Sequence, residues 1–383
     1  MKISRILKNK IKYFLNEKIK RKFIFNINKD FTQNQKKVLI SYITSFAETM
    51  PLENSTHTNV FEALEIIKFF IDNNYTIDVI YCNSKEYLSL LKHKKYDVIF
   101  GFGETFYEIS KNNPKAKKIM YLTENHPDFS FKKEKERIDY FNKRHKKNVK
   151  LTRSGVFYKN EHFSVADYFI IMGRQNEFLQ YNKKIYDINP SGLINKEYRY
   201  KEKNHIVSRK NFLWFGSNGA IHKGLDLLID IFSKRDDITL HICGLDKKDK
   251  HILKIPNKKN IIEYGRINVN SNQFLNLVDK CSFIILPSCS EGMSTSILTG
   301  MLHGLIPIVT KNSGGLDKLN DKALYLEDYK INYVENKINE FINFDTDFLK
   351  KMQYEVFNYS RKNFQLINFK ENFYKIMNEI LSD

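Results

Sequence analysis

The chain has 383 residues, 42% of them hydrophobic, with 30 Phe, 22 Tyr, 15 Gly and 7 Pro. That is length for about two domains and apolar content for a sizeable core, which excludes a disordered or a collagen-like chain. Lys and Arg number 63 against 44 Asp and Glu, a net charge of +19, and no run approaches the ~18 consecutive apolar residues of a membrane span.

The first element is basic. Residues 1–37 hold 12 Lys/Arg against 2 Asp/Glu, so more than half of the excess charge sits there. Within it Ile3, Ile6, Leu7, Ile11, Phe14, Leu15 and Ile19 recur at helical spacing, which predicts a basic amphipathic N-terminal helix. Two uses fit such a helix: docking on an anionic membrane surface, or packing its apolar stripe on its own domain. The segment has no continuous apolar h-region and no small-residue cleavage site, so it does not read as a secretory signal, and the expected location is cytoplasmic. The abundance of Lys, Asn and Ile throughout fits a composition bias as one source of the charge.

From residue 37 the pattern alternates. Residues 37–42 (KVLISY) read as strand and 58–72 as helix. Residues 76–81 (TIDVIY) read as strand and 84–92 as helix. Residues 96–100 and 117–122 read as strands, 134–150 as a charged helix and 166–172 as a further strand. Strands alternating with helices imply a parallel sheet covered on both faces. Residues 185–205 are polar, contain Pro190 and Gly192, and read as a linker. A second series follows. Strands are expected at 212–215, 239–243, 261–264, 282–286 and 306–310, and helices at 225–232, 272–279 and 295–303. The tail from 347 to 381 has helical periodicity. The boundaries drawn are 1–34 for the basic segment, 35–200 and 206–345 for two α/β domains, and 346–383 for C-terminal helices returning towards the first domain.

Cys82, Cys243, Cys281 and Cys289 form no C-x-x-C pair and have no His at zinc-finger spacing, so they read as reduced core residues, with no metal site. The glycines are more telling. Gly216, Gly244 and Gly265 fall at the carboxyl ends of predicted strands, where open α/β sheets bind ligands.

Two segments carry chemistry. In Trp214–Leu225 (WFGSNGAIHKGL) a strand enters a loop with three glycines and Lys223, and a helix follows. Exposed N–H groups at a helix start together with a lysine favour an anion, although the segment is neither a Walker sequence nor G-x-G-x-x-G. In Leu286–Gly304 (LPSCSEGMSTSILTGMLHG) a buried strand ends at Pro287, a loop presents Glu291 and Gly292, and a helix opens near Ser294 or Thr295. A carboxylate there can accept hydrogen bonds from polyol hydroxyls, or it can serve as an ordinary N-cap acid.

Together with HICG, IIEYGRI and SGGLD, these segments resemble glycosyltransferase family 4, the "glycosyl transferases group 1" enzymes, over about 206–320. The resemblance implies the GT-B fold, with two Rossmann-like parallel-sheet domains facing across a cleft. It also implies retaining transfer of a sugar from a nucleotide-sugar to a glycan or lipid-linked acceptor, with neither metal nor cofactor, in surface polysaccharide synthesis. By position, Lys223 would bind the donor diphosphate and Glu291 the donor sugar. The N–H groups of Gly292, Met293 and Ser294, with Thr295 behind them, would face sugar and phosphate. Gly216, Ser217, Asn218 and Gly219 would form the phosphate loop, and Gly244, Gly265 and Arg266 the nucleoside end. Two positions depart from the family. Ser217 stands where an Arg is usual, leaving that role to Asn218, Gly219 or a nearby Arg. Thr299 stands where a second Glu would hold the ribose.

In the first domain, His57, Thr58 and Asn59 precede a helix and follow a long loop that, by the resemblance, faces the donor across the cleft, which makes them acceptor-side candidates. Gly103 and Glu104 follow a strand and are placed on the acceptor side. His126 follows another strand and is a candidate to orient the acceptor or to assist catalysis. Arg137, Arg144 and His145 read as a solvated basic face, and Arg153 and Arg174 carry no specific warrant. The alternatives are a catalytically degenerate member of the same scaffold or a basic nucleic-acid-binding protein. Against the latter, no RRM, KH or zinc-finger pattern is present, and nucleic acid is not an expected partner.

Overall fold

The computed structural model describes residues 23–383, apart from 31, 33, 48–54, 56, 152, 154–156 and 314. The helical pattern of residues 3–19 lies outside the described residues. The end of the same basic segment is a strand: β1 (Phe23–Ile27) runs antiparallel to β3 (Thr76–Tyr81) at the edge of the first sheet.

The first domain is a seven-stranded sheet with order β1-β3-β2-β4-β5-β6-β7. Its central strands are short apolar runs buried on both faces: β2 (Lys37–Tyr42), β3 (Thr76–Tyr81), β4 (Val98–Gly101), β5 (Lys117–Leu122) and β6 (Tyr168–Ile171). This is the composition a parallel sheet requires when helices cover both sides. β7 (Lys184–Asp187) closes the far edge, so the start of the expected linker is part of the sheet. Helix α1 (Thr58–Asp72) buries Val60, Ala63, Ile66, Ile67 and Phe70, a stripe with helical period. Helix α2 (Gly103–Lys111) follows β4, and α3 (Pro127–His145) follows β5. α3 starts seven residues earlier than the charge pattern suggested. Pro127 supplies the helical φ at the first position, and the His126 side chain accepts the Asp128 N–H.

The second domain is a six-stranded, all-parallel sheet with order β10-β9-β8-β11-β12-β13. Its strands are β8 (Asn211–Phe215), β9 (Thr239–Cys243), β10 (Ile261–Gly265), β11 (Phe283–Leu286), β12 (Ile306–Thr310) and β13 (Leu324–Leu326). The helices are α4 (Leu225–Phe232), α5 (Lys247–Leu253), α6 (Asn272–Lys280), α7 (Thr295–Met301) and α8 (Ile331–Ile342). Strand order reverses between β8 and β11, so the loops leaving those two strands flank the crevice where such sheets take ligands.

Two long helices end the chain. α9 (Thr346–Asn363) packs on the second domain. α10 (Leu366–Ser382) crosses back, and its Phe369, Phe373, Ile376, Met377 and Ile380 join the core of the first. The two crossings between domains are tied together, since the Gly192 N–H donates to the Phe364 carbonyl at 2.9 Å. All four cysteines are free and buried. Among the described residues no helix is long and apolar enough to cross a membrane.

Candidate active site between the lobes

The site begins with two loops of the second domain. Trp214 is fully buried, and its indole N–H donates to the Lys223 carbonyl at 3.2 Å, which fixes the far end of the loop after β8. The loop after β11 touches it. The Cys289 N–H donates to the His222 carbonyl at 2.9 Å, and His222 Nε2 donates to the Ser290 carbonyl. These contacts bring the Lys223 ammonium onto Glu291 Oε1, with both side chains almost fully buried. Burial alone would raise the Glu291 pKa, but the charges of Arg153 and Lys223 outweigh it and hold the carboxyl down to about 2. Burial, and then the charge of Arg153, pushes Lys223 down, against the pull of Glu291. His222 is lowered to about 4 by burial and by Arg153, so at neutral pH it is an uncharged spacer beside the pair.

The first domain closes over these loops. The Tyr158 hydroxyl accepts the N–H groups of Thr123 and Glu124 at 2.7 and 3.0 Å, and so aims the loop after β5 at the second domain. Asn125 Nδ2 reaches the Glu291 carbonyl at 2.7 Å, Ser290 Oγ at 3.1 Å and the Asn312 carbonyl at 3.2 Å. The Gly292 N–H lies 3.4 Å from Glu124 Oε2. A Cβ at Gly292 would sit 2.1 Å from the Thr123 carbonyl oxygen, so glycine is what lets the two lobes approach this closely. Arg153 enters from the same lobe, with Nη2 at 2.9 Å from Glu124 Oε1 and 3.4 Å from Glu291 Oε2.

α3 is the strut that carries this lobe. Arg137 is fully buried and donates to the Pro287 carbonyl at 2.6 Å, while Arg144 pairs with Asp226 at 2.6 Å and Asp230 at 3.2 Å. His145 lies 3.1 Å from Asp230. The cluster expected to be a solvated face is an inter-lobe anchor instead, because α3 is long enough to span both domains.

Several other candidate residues are engaged in contacts of their own. His126 does not face the cleft. Its ring is buried against Phe163, Phe178 and Tyr181, Nδ1 accepts the Asp128 N–H, and Nε2 lies 2.8 Å from the Tyr181 hydroxyl, so it caps a helix. Its neighbours Glu124 and Asn125 are the residues of that loop that meet the other lobe. The Thr299 hydroxyl donates to the Thr295 carbonyl at 2.8 Å and accepts the Leu193 N–H at 3.0 Å, which commits its proton and one of its two lone pairs. The N–H groups of Gly219 and Ala220 both donate to Asp249 Oδ2, at 2.8 and 3.0 Å, so these loop amides are already engaged. Glu104 is paired within its own lobe to Lys85 and Lys159, each at 3.1 Å, and the backbone beside Gly103 packs on Cys82.

The remaining candidates sit as follows. Gly216 and Gly244 pack backbone to backbone at the ends of β8 and β9, and Gly265 faces open space. Arg266 is exposed, and its charge, after burial, lowers the pKa of His57 across the gap. Thr58 is buried, and Asn59 Oδ1 is buried without a hydrogen-bond partner among the described residues. Ser217 and Thr295 are half-buried, and Met293 and Ser294 are buried beside Glu291. Among the described residues no group of three His, Cys, Asp or Glu side chains is placed to hold a metal ion.

Two parallel-sheet domains with loops facing across a gap, a lysine–carboxylate pair at the switch point of the rear sheet and a closing helix from the tail define the GT-B architecture. Residues 197–358 match the family model of the glycosyl transferases group 1. A protein named as an uncharacterized glycosyltransferase of Methanocaldococcus jannaschii is 30% identical over 154 residues, which is 39% of this chain and 42% of that protein. Among solved structures, Anabaena HepE in complex with UDP and glucose shares 14% identity, covering 90% of this chain and all of HepE, with a TM-score of 0.57. Sucrose-phosphate synthase from Thermosynechococcus elongatus shares 11% identity, covering 91% of this chain and 99% of its own, with a TM-score of 0.63. At these identities the two structures speak for the fold.

Proposed function

We propose that the protein is a retaining glycosyltransferase that moves a sugar from a nucleotide-diphosphate sugar to a hydroxyl of a glycan or lipid-linked acceptor, in the synthesis of a surface polysaccharide. The observation that carries this reading is the buried Lys223–Glu291 pair at the rear switch point, covered by Glu124, Asn125 and Arg153 of the front lobe. As the bond between sugar and phosphate breaks, negative charge grows on the leaving diphosphate and positive charge on the sugar ring. Lys223 stabilises the first more in the transition state than in the ground state. Glu291 remains ionised and accepts hydrogen bonds from sugar hydroxyls. No protein nucleophile is assigned. The acceptor attacks on the face the phosphate leaves, and closure of the lobes keeps water from hydrolysing the donor. The cations are side chains, so neither metal nor cofactor enters the reaction. The complex of HepE makes a uridine nucleotide the first donor to test. The enzyme works in the cytoplasm, and its basic first segment holds it at the anionic inner face of the membrane.

A second reading, a degenerate GT-B scaffold, is favoured by Ser217, by the engagement of the Thr299 hydroxyl with Thr295 and Leu193 and by Asp249 on the loop amides. Melting the protein in EDTA with UDP, GDP, ADP and their hexose conjugates tests both readings. A true donor at 100 times its Kd adds about 2.7 kcal/mol of stability. Product formed from that donor would carry the donor's anomeric configuration by proton NMR. Stabilisation without transfer to any acceptor tried would favour the scaffold, and no stabilisation by any nucleotide would exclude the transferase reading and leave the scaffold.

A further inference from the structure

We propose that Arg153, carried by the front lobe, is the second diphosphate-binding cation of the site, and that the phosphate site is therefore complete only when the lobes are closed. This rests on the donor-site reading above. A nucleoside diphosphate leaving group needs more than one positive charge. Lys223 is held by Glu291, and Ser217 contributes no charge. The amides of Gly219 and Ala220 are taken by Asp249.

Arg153 is placed to supply what is missing. Its stem lies across the phosphate loop: a Cβ built at Gly219 would sit 3.4 Å from Arg153 Cδ. Its Nη1 donates to the Asn218 carbonyl at 3.4 Å, and its Nη2 lies between Glu124 and Glu291. The backbone beneath it is fixed, since the Arg153 N–H donates at 3.0 Å to Oε1 of Glu134, a residue with no exposed surface. A guanidinium has five N–H donors, and among the described residues three acceptors stand against them. The side chain remains about a quarter exposed, so the spare donors have access to the gap. Burial works against its charge, but Glu291 and Glu124 more than compensate and raise its pKa. The planar fork suits two phosphate oxygens better than an ammonium would. In this geometry the two carboxylates hold Arg153 over the loop before the donor arrives, and its free donors turn to the phosphate oxygens.

The test is isothermal titration with UDP and with uridine, in EDTA, of the parent protein, Arg153→Ala, Arg153→Lys and the double variant Arg153→Ala/Ser217→Arg. The expected result is at least tenfold weaker UDP binding by Arg153→Ala, partial recovery with Lys, and recovery in the double variant, where the rear lobe carries its own guanidinium. Uridine, which has no phosphate, should bind the parent and Arg153→Ala alike. Equal UDP affinity of parent and Arg153→Ala overturns the inference and leaves the donor-site reading standing. An equal loss for uridine and UDP, with no rescue by Ser217→Arg, also overturns it, because Arg153 would then be only a structural tie. A parent protein that binds no UDP, GDP or ADP overturns the donor-site reading itself, and this inference with it.

Discussion

Lys223 and Glu291 are two buried charges paired with each other, with Arg153 as a second partner of Glu291. Each is at most 6% exposed, so removing Glu291 leaves Lys223 without its carboxylate and removing Lys223 leaves Glu291 with Arg153 alone, at a cost of up to about 3–5 kcal/mol. Lys223→Ala and Glu291→Ala should each lower the unfolding free energy by about that amount in urea titrations. The double variant Lys223→Met/Glu291→Leu should lose clearly less than the sum, because no charge is left unpaired. Strict additivity would mean that the two residues do not act as a unit. Both residues were legible in the sequence, since the loop motifs carry them. What the motifs could not show is that the pair is internal, because that depends on two strands brought together by the reversal of strand order. The same limit explains Arg153 and Glu124. Each sits in an undistinguished loop of the first domain, and only docking of the lobes gives either a partner. His126 drew notice as a histidine at a strand end, but its position before a proline was the better signal, since it marks a helix cap.

Among the elements, the loop after β11 meets the loop after β5 with no room to spare. Gly292→Ala would place a methyl 2.1 Å from the Thr123 carbonyl, a contact no rotamer change relieves. The expected outcome is a more open molecule, with a larger radius of gyration by small-angle scattering and a UDP affinity at least tenfold lower, about 1.4 kcal/mol. An unchanged radius and affinity would show that the lobes close in some other way. At this scale the buried parallel strands and their helices read well, because a run such as KVLISY or a stripe such as that of α1 has one reasonable interpretation. The edges read poorly. β1 was absorbed into the basic segment, β7 into a polar linker, and β13 is three residues long. Edge strands are half exposed and short, so neither alternation nor apolar content marks them. The extent of α3 was missed because its buried arginines face protein, which a charge pattern cannot distinguish from facing water.

For the molecule as a whole, buried histidines set the response to acid. His205, His222, His241 and His303 are each lowered from 6.5 to about 4, chiefly by burial. Above pH 6.5 they are neutral in both folded and unfolded states, and their contribution to stability is fully present. As pH falls from 6.5 towards 4, the unfolded chain takes up protons that the folded chain refuses, and stability drops by up to about 1.4 kcal/mol per pH unit for each group. Glu62 opposes this. Burial raises its carboxyl to about 7, so its contribution is complete below 4.5 and is lost as pH rises through 7. Glu177, Asp226 and Asp249 are also raised by burial and oppose it, whereas His57, His126 and His162 are lowered by burial and add to it; the histidines outnumber the carboxyls, so the melting temperature should be lower at pH 5.5 than at pH 7.5. An equal or higher value at pH 5.5 would show that these histidines are not buried as described. If both lobes together hold a nucleotide diphosphate over Lys223 and Glu291, a crystal structure grown with UDP in metal-free buffer will show it there. The diphosphate is expected within hydrogen-bonding distance of the Lys223 ammonium and the Arg153 guanidinium, and a nucleotide bound outside the gap between the lobes would contradict it.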